Sequence, residues 1–162
     1  MEKNYQLDKF DAKILAWLQA DGRSSYQDIG EAVGLSLSAC HKRVKALEQA
    51  GVIDRYVAIL SAWNLGYRTS AYVQVTLRDQ ARETLEAFES AVQDTPEIME
   101  CALMSGDSDY LLRILCTSVE DYERIHSVVL TTLPGVERLK SSFALRTICR
   151  RTAVPIREPL GG

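Results

Sequence analysis

The chain has 162 residues, 46% hydrophobic and 25% charged, with a formal net charge of −3. That suffices for one domain or two small ones with a real core, and it excludes polyanion binding by bulk charge. No apolar run reaches the length of a membrane span, and residues 1–11 are too polar and mixed in charge for a signal peptide.

Three helical segments come first. Leu7, Phe10, Ile14, Leu15 and Leu18 recur at helical spacing, and Asp21-Gly22 ends that run. Ser25 and Asp28 form a capping-box start for a second, short helix with Ile29 and Val33 inward, stopped by Gly34. Ser36 caps the third. There Leu37, Cys40, Val44 and Leu47 share the face expected to be buried, while Ser38, His41, Lys42 and Lys45 fall opposite. Gly51 stops this helix, and 52–60 turns strand-like, as a wing would. A helix, a Gly turn and a polar-faced second helix make a helix-turn-helix over residues 24–56, whose second helix enters the major groove. The same pattern also fits a plain three-helix bundle with a solvated outer face. Residues 1–60 carry eight basic and eight acidic side chains, so a DNA-reading surface here is a small local patch.

Residues 61–68 read as a linker. Alternation at Ala71, Val73, Val75 and Leu77 predicts a strand. Asp79 is expected to cap a helix with Ala81, Leu85, Phe88 and Val92 inward. Residues 98–104 form a second strand, Ser105–Asp109 a turn, and 110–117 a third strand. A helix follows Ser118 with Tyr122, Ile125 and Val129 inward, and 139–149 forms a fourth strand. This order fits a ferredoxin-like βαββαβ sheet with two helices on one face. Tyr72, Val73, Leu112 and Ile114 are expected to put apolar groups on both sheet faces, which predicts self-association. The chain divides as 1–60, linker 61–68, 69–152 and a tail 153–162, the tail read as an arm or frayed end. The class is α+β.

The residues Leu35-Ser36-x-Ser38-x-Cys40-x-x-Arg43-x-x-x-Leu47-Glu48-x-x-Gly51-Val52-Ile53 resemble the turn and recognition helix of the Lrp/AsnC, or feast/famine, regulators. Leu7, Asp8, Asp11, Ile14, Leu15, Leu18 and Asp21-Gly22-Arg23 match upstream. Met104 to Leu112 is similar to that family's Gly-x-x-Asp-Tyr turn, and Leu133-Pro134-Gly135-Val136 matches as well. The resemblance covers about Leu7 to Pro155. Leu37 departs from it, since many relatives carry Pro there.

The resemblance implies a winged helix-turn-helix domain joined to an α/β domain that binds an effector and assembles subunits. It implies a cytoplasmic, nucleoid-associated prokaryotic transcription regulator of double-stranded DNA, built as a homo-dimer that forms tetramers or octamers. It further implies an amino-acid-like effector near the Gly106–Tyr110 turn, with no other cofactor. Ser36, Ser38, His41, Lys42, Arg43 and Lys45 are the expected DNA contacts, Arg43 either as a phosphate ligand or as a brace for the helix. At Ser105, Gly106, Asp107, Asp109 and Tyr110 two readings stand. The turn either closes a hairpin, or it takes an α-amino acid, backbone N–H groups holding the carboxylate and Asp107 or Asp109 the ammonium.

The four cysteines, Cys40, Cys101, Cys116 and Cys149, make no CxxC pair and read as buried thiols of a reducing compartment. No phosphate loop, nucleophile elbow or His cluster marks an enzyme. The competing classes are an enzyme on the same scaffold, which would want a basic or His cluster where only His126 stands, and a chromatin-like architectural protein.

Overall fold

The computed structural model describes residues 5–156. The expectations for the first residues of the polar N-terminus and for 157–162 of the tail lie outside the described residues. Two compact units emerge. One holds residues up to Ile59 together with those from Cys149 onward; the other spans Leu60–Ile148.

The first unit begins with α1, Lys9–Ala20. Asp8 caps it, accepting from the N–H of Phe10 and Asp11, while Asp11 returns a bond to the Asp8 N–H. Helix α2, Tyr26–Val33, starts from the Ser25–Asp28 capping box and ends at Gly34 with φ +78°, a left-handed cap that suits glycine. Helix α3, Leu37–Gln49, is capped by Ser36. Ile14, Leu15, Ile29, Val33, Cys40, Val44 and Leu47 form the core, each contributing about 1.5–3 kcal/mol where a large apolar side chain is fully buried. The turn between α2 and α3 folds back closely: the Leu35 N–H bonds the Gly30 carbonyl at 2.8 Å. A Cβ on Gly30 would stand 2.8 Å from the Leu35 carbonyl oxygen.

Three expectations change in this unit. Leu37 is 56% exposed rather than buried, because it sits at the first helical position, ahead of the stretch of α3 that packs on α1 and α2. The expected wing at 52–60 forms no strand; Val52 and Ile53 bond back to the Leu47 carbonyl, and no described strand lies beside Tyr56–Leu60 to pair with them. Nor is the tail frayed through residue 156. Gln19 accepts from the Val154 N–H at 2.6 Å and donates to its carbonyl at 3.1 Å, and Ile156 packs against the helical core.

The second unit runs β1 Thr69–Leu77, α4 Arg82–Gln93, β2 Ile98–Leu103, β3 Tyr110–Cys116, α5 Val119–Val128, a 3-10 turn at Leu130–Thr132, and β4 Val136–Phe143. The strands lie in the order β2-β3-β1-β4, all neighbours antiparallel, which is the ferredoxin-like arrangement. Ala71, Val73, Val75 and Leu77 alternate inward to meet Phe88, Val92, Tyr122 and Ile125 in one core.

Here too the structure corrects details. Val73, Leu112 and Ile114 all lie on the helix side, Val73 opposite Leu112 and Ala71 opposite Ile114. The other face carries Tyr72, with half-buried Leu111 and Leu115, beside Gln74, Arg113 and Lys140. Strand β4 stops at Phe143, opposite Ala71, and Ala144 makes a last bond to Ser70; β1 begins at Thr69, so a strand continued to 149 would outrun its partner. Helix α4 starts from Ala81 without a side-chain cap, so Ala81 is exposed and Thr84 takes the inward place; Asp79 bonds the Ala81 N–H from outside the helix. Of the cysteines, Cys40 and Cys116 are buried and Cys101 half-buried, but Cys149 is exposed, since it lies beyond the end of β4.

Candidate nucleic-acid and effector interfaces

Helix α3 owes its fixed position to its buried side. Arg43 reaches from α3 to α1, its Nη1 2.7 Å from Asp8 Oδ2 and 2.8 Å from Asp11 Oδ1, with its guanidinium also over the Phe10 ring. Hydrogen bonds to Asp11 and Asp8 raise the Arg43 pKa. Burial pushes the Asp8 carboxyl up, but bonds from the Asp11 N–H, Arg43 and the Phe10 N–H outweigh it and hold it below its ordinary value. At the other end of α3, Lys45 pairs with Glu48 at 2.7 Å, and Tyr56 donates to Glu48 at 3.2 Å. Burial and that bond push the Tyr56 hydroxyl up to about 12.

The outer side of α3 gathers five of the six predicted DNA contacts. Ser36, Ser38, His41, Lys42 and Lys45 are all exposed. The Ser36 and Ser38 hydroxyls lie 3.2 Å apart, and His41 meets the Tyr26 ring edge-on at 4.9 Å. Tyr26, Ser36, Leu37, Ser38 and His41 line an open groove of about 620 Å³. Hydroxyls, an imidazole and two ammonium groups on one convex helix face can bond phosphates and base edges. Arg43 stands apart from them, turned toward α1.

The turn between β2 and β3 divides its five predicted residues in two. Ser105, Gly106 and Asp107 are exposed, Gly106 at φ +149°. Asp109 is buried, and both its oxygens are used: Oδ2 accepts from the Leu77 N–H at 2.7 Å and Oδ1 from Gln80 at 2.8 Å. Tyr110 is buried against Phe88 and donates to Glu89 at 2.7 Å; burial, then this bond, raises its pKa. Sequence reasoning gave no role to Gly30, to the acidic partners of Arg43, or to the Tyr26–His41 contact. The spacing of Asp8 and Asp11 fits a capping box, a local signal not used in the sequence reading; the closeness of Gly30 to the Leu35 carbonyl depends on the path of the turn, and the Tyr26–His41 contact joins two helices without a local pattern.

Comparison with known proteins agrees with this architecture. The AsnC-type helix-turn-helix domain model matches residues 7–48, and the Lrp/AsnC ligand binding domain model matches 70–154. The chain is similar to the Bkd operon transcriptional regulator of Pseudomonas aeruginosa, 39% identical over 93% of this chain and 99% of that protein. It is similar to the leucine-responsive regulatory protein of Escherichia coli K12, 37% identical over 88% of this chain and 87% of that one. Among solved structures, a transcriptional regulator from Neisseria meningitidis in complex with L-methionine superposes with a TM-score of 0.88 at 35% identity, covering 93% of this chain and 97% of that one. With a helix-turn-helix unit, a ferredoxin-like unit and matches along nearly its whole length, the chain belongs to the Lrp/AsnC family of transcriptional regulators.

Proposed function

We propose that this regulator binds double-stranded DNA in the cytoplasm through the outer face of α3, with Ser36, Ser38, His41, Lys42 and Lys45 as the contacting side chains. The observation that carries the reading is their shared exposure on one helix face, while Arg43, the remaining cation of the helix, is occupied by Asp8 and Asp11. Arg43 therefore acts as a brace, and DNA contact falls to the other five. Lys42 and the exposed, Glu48-paired Lys45 make a small patch, so useful affinity requires more than one copy. The sheet face of Tyr72, Leu111 and Leu115 supports homo-dimerisation and higher assembly. The protein is a binding protein with no catalytic step.

The effector in this proposal is an amino acid held at the Ser105–Asp107 turn. A relative crystallised with L-methionine supports the ligand class. Asp107 takes the ammonium group, because both oxygens of Asp109 already accept internal bonds. Duplex selection from a random pool, with and without each of the twenty amino acids, tests the whole reading. A selected duplex whose affinity changes with one amino acid is expected. Replacing Lys42 and Lys45 with Ala is expected to flatten the log-affinity against log-salt slope by roughly one unit per lost contact. Failure to select any duplex would overturn the DNA reading, and no amino acid altering binding would overturn the effector reading.

A further inference from the structure

We propose that Leu37 reads the methyl group of a thymine in the major groove. The inference rests on α3 being the DNA-facing helix and assigns its first residue a specificity role. Leu37 belongs by spacing to the buried register of α3, yet it is 56% exposed while Cys40, Val44 and Leu47 are fully buried. It opens the helix directly after the Ser36 cap and heads an i, i+4, i+8 row with His41 and Lys45. The groove around it is walled by Tyr26, Ser36, Ser38 and His41. An exposed leucine in that company is the one large aliphatic group on a surface otherwise made of hydroxyls, rings and ammonium groups.

The chemistry of the groove selects its partner. The first residues of a recognition helix are those that reach base edges. In the major groove, guanine, adenine and cytosine present donors and acceptors, whereas thymine adds a C5-methyl. The neighbouring polar groups of α3 can bond the former; Leu37 can bury the methyl. Lys45 in the same row favours a polyanion over a neutral apolar partner, and a single leucine ringed by polar groups is too small a patch for a stable protein interface.

The test uses the full-length protein and a duplex that it selects from a random-sequence pool. Each thymine is replaced in turn by uracil, which removes only the methyl. Wild type is expected to lose about fourfold in affinity at one or two positions, the effect of one buried methyl-sized group. Leu37→Ala is expected to bind the unmodified duplex more weakly and to show no loss at those positions, so that the two changes are coupled. Leu37→Met, which keeps an apolar chain, is expected to retain the methyl dependence. Binding by wild type that is indifferent to every uracil, or an Ala variant with undiminished uracil losses, overturns this assignment while leaving the regulator reading intact. Selection of no duplex overturns both.

Discussion

Arg43 and Asp11 are joined across the helix-turn-helix by a 2.8 Å ion pair in which the acidic side chain is only 3% exposed and the basic one 31%. Asp8 completes the arrangement with one oxygen on Arg43 and the other on the backbone of α1. Removing the cation strands a buried carboxylate. Arg43→Ala is expected to destabilise the DNA-binding unit by roughly 2–3 kcal/mol, below a fully buried pair because Arg43 is partly solvated. Urea unfolding reads the loss. At a temperature where the variant is folded, the salt slope of DNA binding should match wild type; a slope reduced by one unit would make Arg43 a phosphate ligand instead.

Acid should weaken the same brace. The folded-state pKa of Asp8 lies below its ordinary value, so its contribution is present above about pH 4 and is lost as the pH falls through the depressed value. Asp8→Asn keeps an oxygen for the helix cap but discards the charge. Melting temperatures between pH 3 and 7 are expected to show wild type ahead at neutral pH and the difference shrinking toward pH 3. A constant difference would contradict the charge-based account.

Gly30→Ala sets two effects against each other. Alanine favours a helix by about 1 kcal/mol over glycine. The added Cβ, however, would meet the Leu35 carbonyl at 2.8 Å, and a backbone atom cannot step aside as a side-chain end can. The clash should win, with a net loss of about 1–3 kcal/mol by denaturant unfolding. A stabilised variant would show that the turn relaxes freely.

Asp107 and Asp109 should separate cleanly. Asp109→Ala leaves the buried Leu77 N–H without its acceptor and is expected to cost about 1–3 kcal/mol of stability. Asp107→Ala, at an exposed position, should unfold like wild type while losing amino-acid binding by calorimetry. Equal stability losses for the two would refute the division of the turn into a structural half and a ligand half.

The elements that sequence reveals best here are those defined by local chemistry. The Ser25–Asp28 box, the Gly34 stop and the alternation of β1 are all local signals, and the structure has them where expected. Leu37 departs from its expected face because periodicity assigns a face without knowing where the packed partner ends. The fourth strand is shorter than its alternation suggests for a similar reason: its partner β1 begins at Thr69, so 146–149 would run past the paired strand, a limit that local composition does not carry. At the candidate sites, exposure of Ser38, His41, Lys42 and Lys45 followed from helix geometry. The occupation of Arg43 and Asp109 did not, because their partners lie 32 and 35 residues away for Arg43 and 32 and 29 for Asp109.

The strap formed by Gln19, Val154 and Ile156 has a consequence for the order of events during synthesis. Three helices leave the ribosome first, but the residues that finish their unit emerge only after every strand of the sheet has been made. Since chains fold as they are translated, a helix-turn-helix without its strap must persist through synthesis of the second unit. The protein therefore finishes its helix-turn-helix unit last, after the ferredoxin-like unit has had time to fold.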